Sequence, residues 1–299
     1  MIIVSIFGGL GNQMFQYATA KAVAKRLQVE LKLDIQHVID RKFRKNFTYR
    51  NFELSVFKLD DKIATEKEVR HYIPNLWNTN KIILQFYRIK RILTGRKLYH
   101  EKKKFIVNQD IFLIKDNTYL YGYFQTAGYF ENIREDLLSA FELKTTLNEA
   151  NRDLLSQINT ENSVSIHIRR GDYVNLAFHL LSMEDYYLKA INLICEKVTS
   201  PSFFIFTNDY EWVQEQFLDI PIKMTIVKIN STENTAHLDM ILMSQCKHNI
   251  CANSSFSWWG AWLNQHTEKI VIAPQYWTDT PEQNKITENH LIPKEWIKI

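Results

Sequence analysis

The chain has 299 residues, of which 45% are hydrophobic and 23% charged, and its formal net charge is +4. This length suits two domains or one large α/β domain, and the composition excludes a collagen-like, coiled-coil or largely disordered chain. So small a charge does not predict nucleic-acid binding, whereas 14 Tyr, 18 Phe and 7 Trp offer rings on which sugars can stack.

The opening residues predict a βαβ unit. An apolar strand over 2–7 is followed by the turn Gly8-Gly9-Leu10-Gly11, a helix over about 12–27 and a second strand over 29–35. The unit is Rossmann-like, but Met14 stands where a dinucleotide fingerprint has its third glycine. The turn is therefore only weak support for a nicotinamide site.

Targeting signals and cysteine metal motifs are both missing from the sequence. Met1 leads directly into the first strand without a basic n-region and an apolar h-region, and no run of 18 apolar residues occurs. The three cysteines form no CxxC pair, so a zinc site is not predicted. We expect a cytoplasmic protein.

Segment 81–104 concentrates positive charge, with nine Lys or Arg residues against one Glu. Within it Ile82, Phe86, Ile89 and Leu93 recur at helical spacing beside basic residues, which predicts an amphipathic helix. This helix either packs its apolar stripe on its own domain, which we favour slightly, or lies on an anionic membrane surface.

From about residue 150 the pattern alternates between strands and helices, after an aromatic strand around 119–123 and a helical stretch over 127–143. The predicted strands cover 164–168, 203–206, 224–229, 249–251 and 270–273, and the helices between them cover 183–197, 211–217, 235–244 and 257–263. Such alternation implies a parallel sheet covered by helices, with ligands at the carboxyl ends of its strands. We predict two domains, 1–150 and 151–299.

Three of these strands end in unusual polar sequences, which a doubly wound sheet would bring to one crevice. They are His167-Ile168-Arg169-Arg170-Gly171-Asp172-Tyr173, Thr207-Asn208-Asp209 and Asn253-Ser254-Ser255-Phe256-Ser257-Trp258-Trp259. His167 and Arg169 share one strand face because side chains alternate with period two, and an arginine fork suits a diphosphate. Asp209 could accept a hydrogen bond from a ribose or cap the next helix, and the serines could bind a phosphate or act as caps.

Together with the N-terminal run Gly8-Gly9-Leu10-Gly11-Asn12-Gln13-Met14-Phe15-Gln16-Tyr17 and the stretch 238–263, these segments resemble glycosyltransferase family 11, the α-1,2-fucosyltransferases. The resemblance spans nearly the whole chain. It implies a GT-B type α/β fold of two facing Rossmann-like domains with parallel sheets, the first on the acceptor side and the second binding GDP-fucose. The implied reaction is inverting transfer of L-fucose from GDP-β-L-fucose to the 2-hydroxyl of a terminal β-galactoside.

The resemblance also assigns site residues. The donor-binding set is His167, Arg169, Arg170, Asp209, Ser254, Ser255 and Phe256. Arg169, aimed at the β-phosphate, and Asn12, facing the donor from the first domain, would be the catalytic residues, and Asp172 is a candidate base. Asp239 fits the family pattern without a defined role. Because the sequence lacks an Asp-X-Asp triplet, the metal clamp of other glycosyltransferases, we expect no metal and no other cofactor.

The expected partners are GDP-fucose and a galactose-terminated glycan, here a lipid-linked unit of a surface polysaccharide such as O-antigen, with no nucleic acid. Peripheral contact through 81–104 would place the protein at the inner face of a bacterial inner membrane. Two other functions stay open. One is an NDP-sugar oxidoreductase or epimerase, although its Tyr-X-X-X-Lys matches, Tyr17 with Lys21 and Tyr99 with Lys103, fall outside a mid-chain helix. The other is a non-catalytic carbohydrate-binding protein.

Overall fold

The computed structural model describes residues 1–40, 50–74, 80–170, 183–230, 235–278 and 280–299. They form two compact units, Met1–Lys144 and Thr145–Ile299. The division therefore comes before the predicted boundary at 150. The reason is that the helix Glu149–Thr160, which was not predicted, begins just after the division and packs on the sheet of the second unit.

The first unit contains a five-stranded parallel sheet. Its strands are β1 (Ile2–Ser5), β2 (Leu31–Asp34), β3 (Lys62–Ile63), β4 (Lys97–His100) and β5 (Thr118–Tyr121). Its α-helices are α1 (Leu10–Leu27), α2 (Gln36–Ile39), α3 (Glu66–Val69), α4 (Lys81–Leu93) and α5 (Arg134–Ala140). The strand order is β3-β2-β1-β5-β4, so the buried strand β1 lies in the middle.

The second unit contains a six-stranded parallel sheet. Its strands are β6 (Asn162–Ile168), β7 (Pro201–Thr207), β8 (Lys223–Val227), β9 (His248–Ile250), β10 (Val271–Ala273) and β11 (Ile297–Lys298). Its α-helices are α6 (Glu149–Thr160), α7 (Leu188–Lys197), α8 (Tyr210–Phe217), α9 (Ala236–Gln245), α10 (Ser255–Leu263) and α11 (Pro281–His290). The order is β11-β10-β9-β6-β7-β8. The predicted α/β class with a parallel sheet in each half is confirmed.

Strand β6 shows how sequence alternation builds this unit. Val164, Ile166 and Ile168 enter an apolar core together with residues of α7 and α8. The alternate positions are polar and buried, so each needs a hydrogen-bond partner. Ser165 Oγ accepts from Asn249 Nδ2 at 2.7 Å, and Asn249 Oδ1 accepts from Asn264 Nδ2 at 2.7 Å. This chain of side chains connects β6 and β9 with the end of α10.

The helical stretch predicted over about 127–143 is confirmed only in its second part, as the α-helix Arg134–Ala140. The structure has two short 3₁₀ turns, Ala127–Tyr129 and Glu131–Ile133, before α5 begins at Arg134. The Thr126 side chain accepts a hydrogen bond from the Gly128 amide, and a Cβ on Gly128 would come within 2.6 Å of Val107 Cγ2. Close packing against Val107 therefore favours tight turns over a regular helix.

The amphipathic helix predicted in 81–104 forms as α4, but the favoured packing of its apolar stripe on its own domain is wrong. None of its side chains is buried, and Ile82, Phe86, Ile89 and Leu93 are 80%, 61%, 49% and 80% exposed. No helix in the described part of the chain is both long and apolar enough to cross a bilayer.

Candidate active site

The carboxyl edge of the second sheet brings two of the three predicted segments into contact through His167. This residue lies near the end of β6 and is 6% exposed, and its ring centroid is 5.4 Å from that of Phe256 in α10. Its backbone carbonyl accepts a hydrogen bond from Tyr187 Oη at 3.2 Å. The imidazole Nδ1 is buried and has no hydrogen-bond partner among the described residues.

Burial and the neighbouring Arg169 charge lower the pKa of His167 to about 3. The imidazole is therefore neutral at physiological pH, and one of its two nitrogens must carry the proton. Arg169 is half-buried, with Nε shielded from solvent. The structure thus places a neutral ring and a guanidinium next to each other at the end of β6, as the period-two spacing predicts. Asp172, the candidate base, lies outside the described residues.

Arg170 and Asp209 form an ion pair that joins the ends of β6 and β7. Arg170 Nε is 3.0 Å from Asp209 Oδ2, and the Arg170 guanidinium carbon lies 4.2 Å from the centroid of the Trp212 ring. The other Asp209 oxygen accepts the Trp212 amide at 3.2 Å, which makes Asp209 the N-cap of α8. The capping role that the sequence left open for Asp209 is therefore present, and Arg170 has a structural partner.

The third segment forms the start of α10. Ser254 is the N-cap and accepts a hydrogen bond from the Phe256 amide at 3.3 Å, so it too has a capping role. Ser255 and Phe256, the first two residues of the helix, are half-buried. Trp258 and Trp259 are fully buried and belong to the core. The side-chain Oδ1 of Asn253 is buried and has no hydrogen-bond partner within the described ranges.

Asp239 lies in the first turn of α9 and belongs to a buried amide network. Asn230 Nδ2 donates to its carboxylate at 2.8 Å, and the Asn230 side chain exchanges two hydrogen bonds with Asn151 in α6. Burial raises the pKa of Asp239 to about 7, although the Asn230 hydrogen bond opposes this shift. Asp239 therefore links the chain after β8 to α6 and has a structural role.

In the first unit, Asn12 is held close to the glycine turn. Its Oδ1 accepts a hydrogen bond from Gln125 Nε2 at 2.7 Å. Gly8 has a φ of +76°, and a Cβ at this position would approach Asn12 Nδ2 to 2.9 Å. The glycine therefore permits both the left-handed backbone and the position of the Asn12 amide.

Two buried glutamines of the N-terminal run, for which no role was predicted, hold this turn in place. Gln13 Nε2 donates to the carbonyls of Gly8 and Asn51, both at 2.8 Å, and its Oε1 accepts the Glu53 amide at 3.0 Å. Gln16 binds both backbone groups of Phe7. Both glutamines lie among the mainly apolar buried residues of α1. Buried amides in such a helix need hydrogen-bond partners, and this was the signal in the sequence for their role.

The carboxyl edge of the first sheet carries a group of aromatic rings whose contacts were not predicted. Phe7 stacks on Tyr121 at 5.1 Å and meets Tyr123 edge-on at 4.9 Å, and all three side chains are half-buried. Glu101 supports this group, because its Oε2 accepts the amides of Tyr123 and Phe124 at 2.8 and 3.1 Å. The resulting surface offers apolar ring faces with polar edges.

The two side chains of the Tyr-X-X-X-Lys match in α1 form hydrogen bonds within the first unit. Tyr17 Oη and Lys21 Nζ both donate to Asp61 Oδ2 at 2.8 Å. Burial and the Asp61 charge raise the pKa of Tyr17, which is opposite to the shift that a tyrosine base needs. Among the described residues, no cluster of three or more His, Cys, Asp or Glu side chains could hold a metal ion.

Comparison with known proteins defines the family. The family model described as glycosyl transferase family 11 matches residues 1–299. The chain belongs to this family. It is therefore a glycosyltransferase, and the resemblance found in the sequence is confirmed.

Two Escherichia coli relatives align with nearly the full chain. The O-antigen biosynthesis glycosyltransferase WbnK is 35% identical over 318 residues, covering 98% of each chain. An α-1,2-colitosyltransferase is 33% identical over 304 residues, covering 100% of this chain and 99% of the other. The Sus scrofa galactoside α-(1,2)-fucosyltransferase 2 is 25% identical over 189 residues, covering 60% of this chain and 55% of the relative.

The fold comparison agrees with the family. A solved structure of a mutant of Arabidopsis thaliana FUT1 in complex with GDP has a TM-score of 0.50 and 11% identity, covering 95% of this chain and 72% of the other. At this identity the likeness concerns the fold alone. It supports the GT-B type α/β class that the family 11 resemblance implies.

Replacing Gly8 tests the role of the turn in holding Asn12. We expect Gly8→Ala to lower the free energy of unfolding by at least about 1–2 kcal/mol, because an alanine is strained at positive φ and its Cβ would also collide with the Asn12 amide. Gly9→Ala is the matched control, since Gly9 has a φ of −77° and no atom within 4 Å of an added Cβ. Urea denaturation measures both variants, and equal losses would contradict this account.

The buried His167 should make stability depend on pH. Its folded pKa of about 3 lies below the unfolded value of about 6.5, so the unfolded chain binds the proton first as the pH falls. The contribution of the neutral imidazole is therefore complete above pH 7. Relative to His167→Gln, it is lost at about 1.4 kcal/mol per pH unit below about pH 6.5.

Urea denaturation at pH 7.5 and pH 5.5 checks this prediction for both proteins. The comparison with His167→Gln is needed because both proteins share every other titratable group, so the effects of those groups cancel in the difference. Equal losses of unfolding free energy on acidification would show that His167 is protonated in the folded protein.

Proposed function

We propose that this glycosyltransferase is an inverting galactoside α-1,2-fucosyltransferase with GDP-β-L-fucose as its donor. The observation that carries the proposal is the contact of three strand-end segments at one edge of the second sheet. His167 packs on Phe256 with ring centroids 5.4 Å apart, and Arg170 binds Asp209 at 3.0 Å. Three of the segments that carry the family 11 resemblance thus lie together in this unit, which supports a donor site there.

The donor would bind along this edge. Arg169 provides a permanent positive charge for the β-phosphate, and the start of α10 at Ser255 suits the diphosphate because a helix N-terminus favours negative charge. His167 would contact the nucleotide as a neutral imidazole. Asp209 keeps lone pairs for a ribose or guanine group, since its carboxylate has capacity beyond the two hydrogen bonds that it accepts in the structure.

The chemistry follows from the charge that develops as the bond between fucose C1 and the phosphate lengthens. Negative charge grows on the departing GDP and positive charge on the sugar ring. Arg169 stabilises the negative charge of the leaving group without a proton transfer. It thereby takes the role that a metal ion has in other glycosyltransferases. Attack by the acceptor 2-hydroxyl on the opposite face of C1 forms the new bond as the bond to the phosphate breaks, and converts the β linkage into an α linkage. The hydroxyl proton passes to a base, for which Asp172 is the candidate from the sequence.

The acceptor galactoside would bind to the first unit. The half-buried rings of Phe7, Tyr121 and Tyr123 offer a surface for the apolar face of a pyranose, and Asn12 with Gln125 adds amide groups for sugar hydroxyls. The O-antigen role of the WbnK relative supports a surface polysaccharide or oligosaccharide unit as the natural acceptor.

GDP-colitose is a second candidate donor, because one relative is a colitosyltransferase. Colitose is the 3-deoxy counterpart of fucose, so GDP-fucose and GDP-colitose differ by one hydroxyl. A site that hydrogen-bonds the fucose 3-hydroxyl would discriminate strongly against the deoxy sugar, whereas an apolar contact would accept it. Comparing kcat/KM for the two donors decides between fucosyl and colitosyl transfer.

The donor assignment predicts metal-independent binding of guanine nucleotides that depends on Arg169. Isothermal titration calorimetry in EDTA-containing buffer should show binding of GDP and GDP-fucose but not of NAD, and Arg169→Ala should weaken it. In the same buffer kcat should fall by about 10²–10³ for Arg169→Ala, because the variant loses transition-state stabilisation.

Arg152→Ala is the matched control, because Arg152 is exposed in the same unit and its Nη1 donates only to the Leu147 carbonyl in the described structure. It should bind GDP and react as the original protein does. Absence of GDP binding to the unaltered protein would overturn the donor assignment, and activity that EDTA abolishes and magnesium restores would overturn metal independence.

The acceptor assignment predicts a separate phenotype for the aromatic rings. Tyr123→Ala should raise KM for a β-galactoside by about tenfold, since it removes one stacking ring, while the affinity for GDP stays unchanged. Tyr123→Phe retains the ring and should keep most of the acceptor affinity. Initial rates over a range of acceptor concentrations measure both variants, and a loss of GDP affinity in Tyr123→Ala would place the ring on the donor instead.

A further inference from the structure

Helix α4 exposes a continuous apolar stripe to solvent. Ile82, Phe86, Ile89 and Leu93 lie within about 60° of one another on the helix surface at 100° per residue. All four are exposed, from 49% at Ile89 to 80% at Ile82 and Leu93. Ile92, beside the stripe, is 71% exposed. Soluble proteins rarely expose so many large apolar side chains on one face unless that face binds something.

The helix is attached to its own unit by the opposite side. Arg91, about 180° from Ile82, donates from Nη1 to the Tyr72 carbonyl at 2.7 Å. Lys90 Nζ contacts the Arg70 carbonyl at 3.3 Å, and Asn80 caps the first turn by accepting the Ile82 amide at 2.9 Å. The contacts of Lys90 and Arg91 with these carbonyls hold α4 with its Arg91 side toward the protein and its apolar stripe outward, the reverse of a helix that serves its own core.

The charge around the stripe has one sign. Lys81 and Arg88 lie on one side of it and Lys90 on the other, and the helix contains no acidic residue. The surrounding segment 81–104 holds nine Lys or Arg residues against one Glu. Basic residues beside an apolar stripe complement a membrane, where anionic headgroups lie next to acyl chains.

The length of α4 fits binding parallel to such a surface. Its 13 residues span about 20 Å, which is shorter than the hydrocarbon core of a bilayer. We propose that α4 is an interfacial helix that binds this protein to membranes containing anionic lipids, with Ile82, Phe86, Ile89 and Leu93 inserted among the acyl chains. This proposal does not depend on which sugar is transferred.

Vesicle co-sedimentation tests the proposal. The full chain should sediment with vesicles of phosphatidylcholine and phosphatidylglycerol in equal parts, and much less with phosphatidylcholine alone. Ile82→Ser with Phe86→Ser should reduce the bound fraction by removing the inserted side chains. Lys81→Glu with Arg88→Glu should lower the affinity for the anionic vesicles by more than about tenfold, because each basic residue near such a surface contributes about 1 kcal/mol.

Matched controls use exposed residues of the second unit. Leu218→Ser removes a side chain that is 76% exposed, and Lys285→Glu with Lys294→Glu reverses two exposed charges. Both controls should sediment like the original protein. The α4 variants should keep GDP affinity and the rate with a soluble acceptor, so a failure of the proposed function and a failure of membrane binding give different results.

Two outcomes would overturn the proposal. One is sedimentation with anionic vesicles that is equally strong for the α4 variants and for the original protein. The other is a protein that does not sediment with vesicles and is dimeric by light scattering, while the Ile82→Ser, Phe86→Ser double variant is monomeric. In that case a second copy of the chain covers the stripe.

Discussion

The alternation of side chains along β6 is the constraint on which the second unit depends. Residues Val164, Ile166 and Ile168 fill the apolar core on one face, so the residues between them must meet the helices of the other face. Ser165 does so through Asn249, and His167 does so through the ring of Phe256. A shift of one residue would place the polar set in the apolar core, and the candidate donor site would no longer exist.

Buried side-chain amides perform the same task in both units, which is to fix the chain next to a strand end. Gln13 and Gln16 fasten the turn after β1, and Asn230 joins the chain after β8 to Asn151 of α6. Each amide has both a donor and an acceptor, so it can satisfy a backbone or side-chain group on either side. Leaving such a group without its partner costs more than the hydrogen bond contributes, which makes these positions specific for one arrangement.

The sequence predicted the buried strands well because such strands are short apolar runs between helices of recognisable period. The edge strands β3, β4 and β11 were not predicted. The sequence also predicted that the ends of β6 and β9 meet, since parallel topology leaves few alternatives. Contacts between residues distant in sequence were not predictable: the Arg170–Asp209 ion pair, the bonds of Gln13 to the chain near residue 51, and the ring group around Phe7. The departure from a regular helix before residue 134 has the same origin, because packing of Gly128 against Val107, rather than local helix propensity, sets that backbone.

The outward apolar side of α4 has a consequence for how such an enzyme would meet its substrates. A protein held at a bilayer searches in two dimensions, so a lipid-anchored sugar chain there is present at a far higher effective concentration than the same molecule free in solution. A weak acceptor site would then be sufficient, and rapid release of the product would be favoured over tight binding. Rates with soluble oligosaccharides would consequently understate the turnover at the membrane surface.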